Sequence, residues 1–299
     1  MADTVTVAAA AKVNLALHIV GRRDDGFHLL ESLIGFTEIA DHITLTASDD
    51  ISLDVSGPEQ KALTDSNDNL IIRAARLVKD HVNGTGGAHF ALEKHIPVAA
   101  GLGGGSADAA ATVQGCETLW NITSTVPIGD ATLAAGLGAD VPVCRFGRAA
   151  WVWGIGERVT PAPSWPDLWM VLVNPRIPVP TAKVFQAFSG QLKKPEIQSG
   201  AGPTWSPSVD DFIEFLASRE NSLTDAALSI APVIAEVLAV ISAAPECLLA
   251  RMSGSGPTCF GLFASESEAQ TAAKALAGGK PAWWVRATRL VSRPNHEIH

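Results

Sequence analysis

The feature that most constrains the fold is a glycine-rich segment near residue 100 that leads directly into an alanine-rich run. It reads Pro97-Val-Ala-Ala-Gly-Leu-Gly-Gly-Gly-Ser106 and continues as Ala-Asp-Ala-Ala-Ala. Glycines let the backbone approach an anion without Cβ clashes, and a helix start offers unpaired N–H groups and the positive end of its dipole. The segment therefore predicts an anion site at the start of a helix from about Ser106 to Trp120, with Ser106 as its N-cap.

Two widespread phosphate-binding patterns do not fit this segment. No Gly-Lys-Ser/Thr follows the glycines, which excludes a Walker A loop. Gly101, Gly103 and Gly104 do not have G-x-G-x-x-G spacing, and the segment is not the first strand–helix unit, so a dinucleotide-binding fingerprint is excluded as well. Glycine richness alone is also compatible with a flexible loop, so the interpretation depends on the rest of the chain.

Composition and charge exclude several classes of protein. Of the 299 residues, 47% are hydrophobic and 18% are charged, which favours a sizeable core over global disorder. The formal net charge of −9 argues against a nucleic-acid or anionic-membrane surface. The cysteines lie far apart, and neither they nor the histidines have metal-ligand spacing. We expect a cytoplasmic protein with no metal site of its own, no nucleic-acid partner and no membrane segment.

The first predicted strand has two faces of different character. Period-two alternation puts an apolar set on one face and a polar or small set on the other. The apolar set is Val13, Leu15, Leu17 and Ile19, and the second set is Lys12, Asn14, Ala16 and His18. Polar side chains of the second face can therefore converge on a site.

The remaining pattern predicts two α+β domains rather than a doubly wound sheet. Strands are predicted near residues 43–46, 51–55, 88–94, 168–173, 259–263 and 283–290, and helices near 69–81, 210–218 and 221–244. The run 226–244 is almost wholly apolar, but it contains Pro232 and Glu236, so we interpret it as a buried core helix. Ser265 and Glu268 predict a capping box for another helix. The proline-rich segment 161–166 predicts a junction between domains 1–160 and 161–299.

The glycine-rich segment resembles the phosphate loop of the GHMP kinases. Four further segments match that family in order and spacing, and they resemble in particular the branch that acts on cytidine diphosphate methylerythritol in non-mevalonate isoprenoid synthesis. These segments are Ala11-Lys-Val-Asn-Leu15, Gly21-Arg-Arg-Asp-Asp-Gly-Phe-His28, Gly138-Ala-Asp-Val-Pro142 and Arg251-Met-Ser-Gly-Ser-Gly256. The resemblance runs from about residue 7 to about residue 263. It implies a two-domain fold, with an N-terminal domain like domain 2 of ribosomal protein S5 and a C-terminal ferredoxin-like α/β sandwich.

The resemblance also implies a catalytic pair. The family's matching aspartate, here Asp140, takes the proton from the substrate hydroxyl, and the matching lysine, here Lys12, lies beside it. The charge of Lys12 would favour the ionised carboxylate and help to orient the hydroxyl. From the residues alone, Asp140 is equally compatible with a turn or cap residue, and Lys12 with an edge-strand lysine that reaches solvent.

For the nucleotide ATP, the resemblance implies a binding segment that includes the whole glycine-rich loop and one residue before the first helix. The predicted ATP-binding residues are Asn69, Pro97, Val98, Ala99, Ala100, Gly101, Leu102, Gly103, Gly104, Gly105, Ser106 and Ala107. Asp68, next to Asn69, is interpreted as a helix-start residue only. The turn 253–256 is compatible either with closure over the phosphates or with a simple β-turn. Mg²⁺ is expected to arrive with ATP and to keep several waters.

For the alcohol substrate, the resemblance implies a cytidine pocket formed by Asn14, Phe27, His28 and Phe185, with Thr181 as a further contact. Phe27 and Phe185 would sandwich the pyrimidine ring, which is worth roughly 1–3 kcal/mol per base. The family more often has tyrosine at position 27, whereas this chain has no tyrosine, so the ring face is kept and a hydroxyl is lost. For Phe185, core packing is an alternative role.

Two rival functions remain open. One is a GHMP kinase for another small alcohol such as homoserine or a mevalonate-like acid, which would have no base for Asn14, Phe27 and His28 to recognise. The other is a catalytically silent relative that binds nucleotide as a sensor, which the joint presence of Lys12 and Asp140 disfavours. The sequence leaves the oligomeric state open.

Overall fold

The computed structural model describes residues 4–63, 69–82, 86–122, 130–198 and 200–294. Within these ranges the strands join into one mixed sheet. The strands are β1 (Thr4–Arg22), β2 (His28–Ser48), β3 (Ser52–Ser56), β4 (Gly87–Glu93), β5 (Ala150–Gly154), β6 (Arg158–Pro161), β7 (Leu168–Asn174), β8 (Leu249–Met252), β9 (Cys259–Phe263) and β10 (Trp284–Val291). The six shorter predicted strands are confirmed, the first of them as part of β2.

The helices of the described residues pack on this sheet. They are α1 (Leu70–His81), α2 (Gly104–Leu119), α3 (Asp130–Leu137), α4 (Val141–Phe146), α5 (Thr181–Ala187), α6 (Val209–Ala217), α7 (Thr224–Ile230), α8 (Val233–Ser242) and α9 (Glu266–Gly279). The predicted capping box is confirmed, because Ser265 and Glu268 exchange hydrogen bonds at the start of α9. None of the helices within the described ranges has the length and apolar character needed to cross a membrane.

The long strand β2 is the element that joins the two halves of the chain. One edge of β2 pairs with β1 along almost its whole length. Its other edge pairs in turn with β5, with β10 at Phe36 and Thr37, and with β4. Through β10 the sheet continues to β7, β9 and β8 in the second half. The α+β class is therefore confirmed, and the boundary at 160/161 stays a prediction, in a segment from 162 to 167 without helix or strand.

The predicted alternation along β1 is wrong beyond Asn14. The register against β2 shifts between Asn14 and Ala16, as it also does between Ala10 and Lys12. Each such bulge inserts an extra residue and moves the following side chains to the other face. Leu17 consequently lies on the same side as Lys12 and Asn14 and lines the same cavity.

The predicted single core helix near 226–244 is also wrong. The chain forms two short helices, α7 and α8, which are separated at Ala231 and Pro232. Proline lacks the N–H that would continue the hydrogen-bond ladder, so a helix restarts after it. Glu236 lies in the first turn of α8 and pairs with Lys280, the residue that follows α9, while Ile234, Val237 and Ile241 are buried.

Candidate active site

A cavity of about 580 Å³ lies where β1, the start of α2 and the loops of the second half meet. Most of the predicted site residues line it, although they are far apart in the chain. Those in its wall are Lys12, Asn14, Asn69, Pro97, Val98, Ala99, Ala100, Gly101, Gly103, Gly104, Gly105, Ser106, Asp140, Thr181 and Phe185. Such a concave site with a few converging polar groups is typical of a small-molecule site.

The predicted catalytic pair is brought together in this cavity. The Lys12 ammonium lies 3.1 Å from a carboxylate oxygen of Asp140. Asp140 precedes α4 as its N-cap residue, but its side chain makes no capping hydrogen bond, so its carboxylate is not used by the helix. The Lys12 side chain is 5% exposed and that of Asp140 is 41% exposed. A substrate can therefore reach the carboxylate while the lysine stays fixed behind it.

Asn14 holds this lysine in place. Its side-chain oxygen accepts a 2.7 Å hydrogen bond from the Lys12 ammonium, and its side-chain nitrogen donates to the Ser32 hydroxyl at 2.8 Å. Ser32 in turn donates to the backbone oxygen of Ala16 at 2.7 Å. Asn14 is buried. Its amide thus positions Lys12 beside Asp140, a role that the sequence interpretation did not include.

The glycine-rich loop forms the predicted helix start, with one correction. The N-cap of α2 is Gly103, not Ser106, and the helix begins at Gly104. Gly103 has φ 63°, and a Cβ atom there would lie 2.6 Å from Cγ of Lys12, so glycine is required both by the backbone and by the lysine. Ser106 lies in the first turn and lines the cavity.

Three consecutive carbonyl groups of this loop are held by the surrounding protein. Ala100 accepts from the Thr258 N–H at 3.2 Å, and Leu102 accepts from the Lys12 N–H at 3.0 Å. Gly101 accepts from the Ser253 hydroxyl at 2.9 Å. These hydrogen bonds fix the backbone of the loop at the start of α2, and anion binding by the loop stays a prediction.

The turn 253–256 is a β-turn that also contributes to the cavity. The Gly256 N–H donates to the Ser253 oxygen at 2.9 Å. Gly254 and Ser255 line the cavity, and Ser255 shares a 2.9 Å hydrogen bond with Thr181. The two interpretations of this segment, a β-turn and closure over the phosphates, are therefore compatible with each other.

A buried charge cluster lies below the loop, and the sequence interpretation missed it. The Lys94 ammonium is 2.5 Å from carboxylate oxygens of both Asp41 and Asp108. The second oxygen of Asp41 accepts from the N–H groups of His95 and Ile96, just before the loop. The second oxygen of Asp108 is buried without a hydrogen-bond partner. Desolvation outweighs the attraction of Lys94 and raises the pKa of Asp108 to about 7.

Four predicted residues are not part of the cavity wall. Leu102 and Ala107 are buried in the core and do not line the cavity, so their part in ATP binding stays a prediction. His28 does not line the cavity, but its ring lies 5.7 Å from that of Phe185. Phe27 is 58% exposed and also lies outside the wall, so the sandwich of a base between Phe27 and Phe185 stays a prediction.

His28 is held between two aromatic rings. Besides Phe185, it contacts Phe188 edge-on at 5.6 Å. Partial burial, followed by the nearby charge of Arg22, lowers the pKa of His28. The favoured neutral imidazole has one donor and one acceptor, as recognition of a base edge requires.

At the opposite end, Asn69 caps α1. Its side-chain oxygen accepts from the Ile71 N–H at 2.9 Å, and the residue also lines the cavity beside Leu70. Asp68 lies outside the described residues. Among the residues that are described, no group of three or more His, Cys, Asp or Glu side chains could hold a metal ion.

Comparison with known families agrees with this geometry. Residues 69–148 match the family described as GHMP kinases N terminal domain, and residues 207–280 match GHMP kinases C terminal. A 4-diphosphocytidyl-2-C-methyl-D-erythritol kinase of Paramagnetospirillum magneticum is 45% identical over 291 residues, which are 96% of this chain and 99% of that protein. The equivalent kinase of Cereibacter sphaeroides is 46% identical over 284 residues, covering 95% and 98%.

Solved structures of kinases also superpose on this chain. The crystal structure of a 4-(cytidine 5'-diphospho)-2C-methyl-D-erythritol kinase superposes with a TM-score of 0.75 at 34% identity, covering 96% of this chain and 99% of that one. A homoserine kinase from Cytophaga hutchinsonii superposes with a TM-score of 0.66 at 18% identity, covering 100% and 98%. The second likeness shows the fold alone.

Proposed function

Because this chain belongs to the GHMP kinases, we propose that it transfers the γ-phosphoryl group of ATP to the 2-hydroxyl of 4-diphosphocytidyl-2-C-methyl-D-erythritol. The activity is that of an alcohol phosphotransferase in the non-mevalonate route to isoprenoid precursors. The observation that carries the residue assignment is the pair of Lys12 and Asp140, 3.1 Å apart, in the cavity that the glycine-rich loop also lines.

Asp140 is the general base of the proposed reaction. Its carboxylate is partly exposed and is not used by α4, so it can accept the proton of the substrate hydroxyl. Lys12 keeps that carboxylate in place and offsets the negative charge that builds up near it. Asn14, which receives a hydrogen bond from Lys12, fixes the direction of the ammonium.

The phosphates of ATP are assigned to the loop from Pro97 to Ser106. Backbone N–H groups at the start of α2 and the positive end of its dipole favour the triphosphate. Mg²⁺ enters with ATP as part of the nucleotide substrate and neutralises charge on the phosphoryl oxygens. The base of ATP is assigned to the start of α1, where Asn69 and Leu70 line the cavity.

The cytidine end is assigned to the side of the cavity that Thr181 and Phe185 line. Phe185 offers a ring face, and His28, 5.7 Å away, offers a neutral imidazole for the edge of the base. Phe27, exposed on the adjacent turn, is the second stacking partner. In this arrangement the γ-phosphoryl group and the 2-hydroxyl meet at Asp140.

The test is ADP release by the purified protein with Mg-ATP and one alcohol at a time. We expect turnover with 4-diphosphocytidyl-2-C-methyl-D-erythritol and none with homoserine or mevalonate. Turnover with one of the other alcohols instead would support kinase activity but contradict the assignment of the cytidine pocket. ATP binding without turnover of any alcohol would favour a nucleotide sensor.

A further inference from the structure

An ion pair with one buried partner joins the two halves of the chain near the cavity. The Arg176 guanidinium donates to both carboxylate oxygens of Glu59, with Nη1–Oε2 at 3.0 Å and Nη2–Oε1 at 2.8 Å. The Glu59 side chain is only 4% exposed, whereas that of Arg176 is 47% exposed. Two parallel charge-assisted hydrogen bonds fix direction as well as distance. Neither residue lines the cavity, so the proposed chemistry gives no reason for the pair.

The Glu59 end is fixed to Lys94, in the segment between β4 and the phosphate loop. The Glu59 N–H donates to the Lys94 oxygen at 3.1 Å, and the Lys94 N–H donates to the Ser56 oxygen at 2.9 Å. Gly57 has φ 91°, and a Cβ atom there would lie 2.6 Å from the Lys94 oxygen. The turn thus lies directly against the backbone of Lys94, three residues before Pro97.

The Arg176 end belongs to the segment 175–185, which we call the substrate arm because it carries Thr181 and Phe185. Arg176 has φ 58°, unusual for a residue other than glycine, and its N–H donates to the side-chain oxygen of Asn174 at 2.7 Å. The Asn174 side chain donates to the Thr258 hydroxyl at 2.8 Å. Thr258 holds the Ala100 carbonyl of the phosphate loop.

We propose that Arg176 and Glu59 are positioning residues that set the distance between the substrate arm and the phosphate loop. The arm is tied to that loop twice, once through Asn174 and Thr258 and once through Glu59 and Lys94. Its far end presents Thr181 and Phe185 to the cavity. Because Thr181 and Phe185 are the contacts assigned to the alcohol, the placement of the arm controls binding of the alcohol. This inference rests on the proposed function.

The test is steady-state kinetics with Mg-ATP and the cytidine substrate. For Arg176→Gln we expect KM for the alcohol to rise about tenfold while KM for ATP stays within about twofold, as for one lost charge-assisted contact. Arg176→Lys keeps the positive charge but cannot make the two parallel hydrogen bonds of the guanidinium, and it should raise KM for the alcohol about threefold. The double variant Glu59→Gln/Arg176→Gln should be no worse than the poorer single variant. The matched control is Arg289→Gln, which removes an exposed pair with Asp167 outside the cavity and should change neither KM.

A purely structural role would give a different pattern. If the substitution only unfolded part of the enzyme, the apparent kcat would fall because fewer molecules are active, and both KM values would stay unchanged. That result would overturn the proposal. Equal changes in both KM values would overturn it as well. If the wild-type enzyme turned over a different alcohol, the proposed function would fail, while the same comparison of KM values with that alcohol would still decide the role of the pair.

Discussion

The ammonium group of Lys12 lies 3.1 Å from Asp140, and it also donates to the side-chain oxygen of Asn14 at 2.7 Å. β1 supplies the lysine and the amide, and the turn before α4 supplies the carboxylate. Lys12 is buried and Asp140 is partly exposed, so Asp140 is the accessible member of the pair. A substrate hydroxyl can approach the exposed carboxylate of Asp140, which is the proposed base.

Asp140→Asn should abolish most of the activity without loss of the fold. The amide cannot accept the hydroxyl proton, and general-base catalysis contributes about 10²- to 10⁴-fold in rate. We expect kcat to fall by that factor and KM for ATP to stay within about twofold. The measurement is ADP release, with Asp54→Asn on the exposed face of β3 as the matched control. A variant with wild-type kcat would exclude Asp140 as the base.

Gly103→Ala should move Lys12. The added Cβ atom would lie 2.6 Å from Cγ and 2.8 Å from Cε of Lys12, and the positive φ of 63° adds about 1–2 kcal/mol of backbone strain. We expect kcat to fall on the order of 10²-fold, as for a catalytic group displaced by about 1 Å.

The control for Gly103→Ala is Gly200→Ala. Gly200 has φ 81°, but its Cβ atom would meet only Thr160 at 3.8 Å, so this variant has the strain without the displaced lysine. Gly200→Ala should lower the free energy of unfolding and leave kcat unchanged. Equal loss of kcat in both variants would mean that backbone strain, not the lysine, is responsible.

The sequence predicts the parts of the site that lie within one continuous segment. The phosphate loop is local, because its glycines, the following helix and the small side chains all lie between Pro97 and Trp120. Lys12 and Asp140 could be assigned only through the family resemblance, since nothing in the local pattern of either distinguishes a catalytic role. The structure adds their distance, which depends on how β1 and α4 pack.

What could not be predicted depends on pairing between distant segments. The bulge after Asn14 arises from the register of β1 against β2, so periodicity within β1 alone gave Leu17 the wrong face. The cluster of Asp41, Lys94 and Asp108 joins three elements, and no spacing in the chain identifies it. By contrast, the break between α7 and α8 follows from Pro232 and could have been predicted.

Asp108 should make the stability of the protein depend on pH. Burial raises its pKa from 3.8 to about 7, so the folded state binds a proton that the unfolded state releases between these values. The free energy of unfolding should therefore fall as pH rises toward 7 and level off above it. Asp108→Asn removes this contribution. Its stability relative to the wild type should increase by about 2 kcal/mol between pH 5.5 and pH 8.

Urea unfolding at several pH values measures this difference. The exposed Asp80 on α1 provides the matched control, since Asp80→Asn changes the same chemical group without burial. The stability of the control relative to the wild type should stay constant over the same range. A constant difference for Asp108→Asn as well would show that Lys94 keeps Asp108 ionised in the folded protein.

Phe27→Ala should weaken binding of the cytidine substrate without affecting the fold. The Phe27 ring is 58% exposed, so its removal costs little core packing. If it stacks on the pyrimidine, its loss costs about 1–3 kcal/mol, which corresponds to a rise in KM for the cytidine substrate of about fivefold to about 150-fold. KM for ATP and the melting temperature should not change. Phe27→Tyr keeps the ring face and should retain the wild-type KM, or lower it through the added hydroxyl. An unchanged KM for Phe27→Ala would remove Phe27 from the pocket and leave Phe185 and His28 to hold the base.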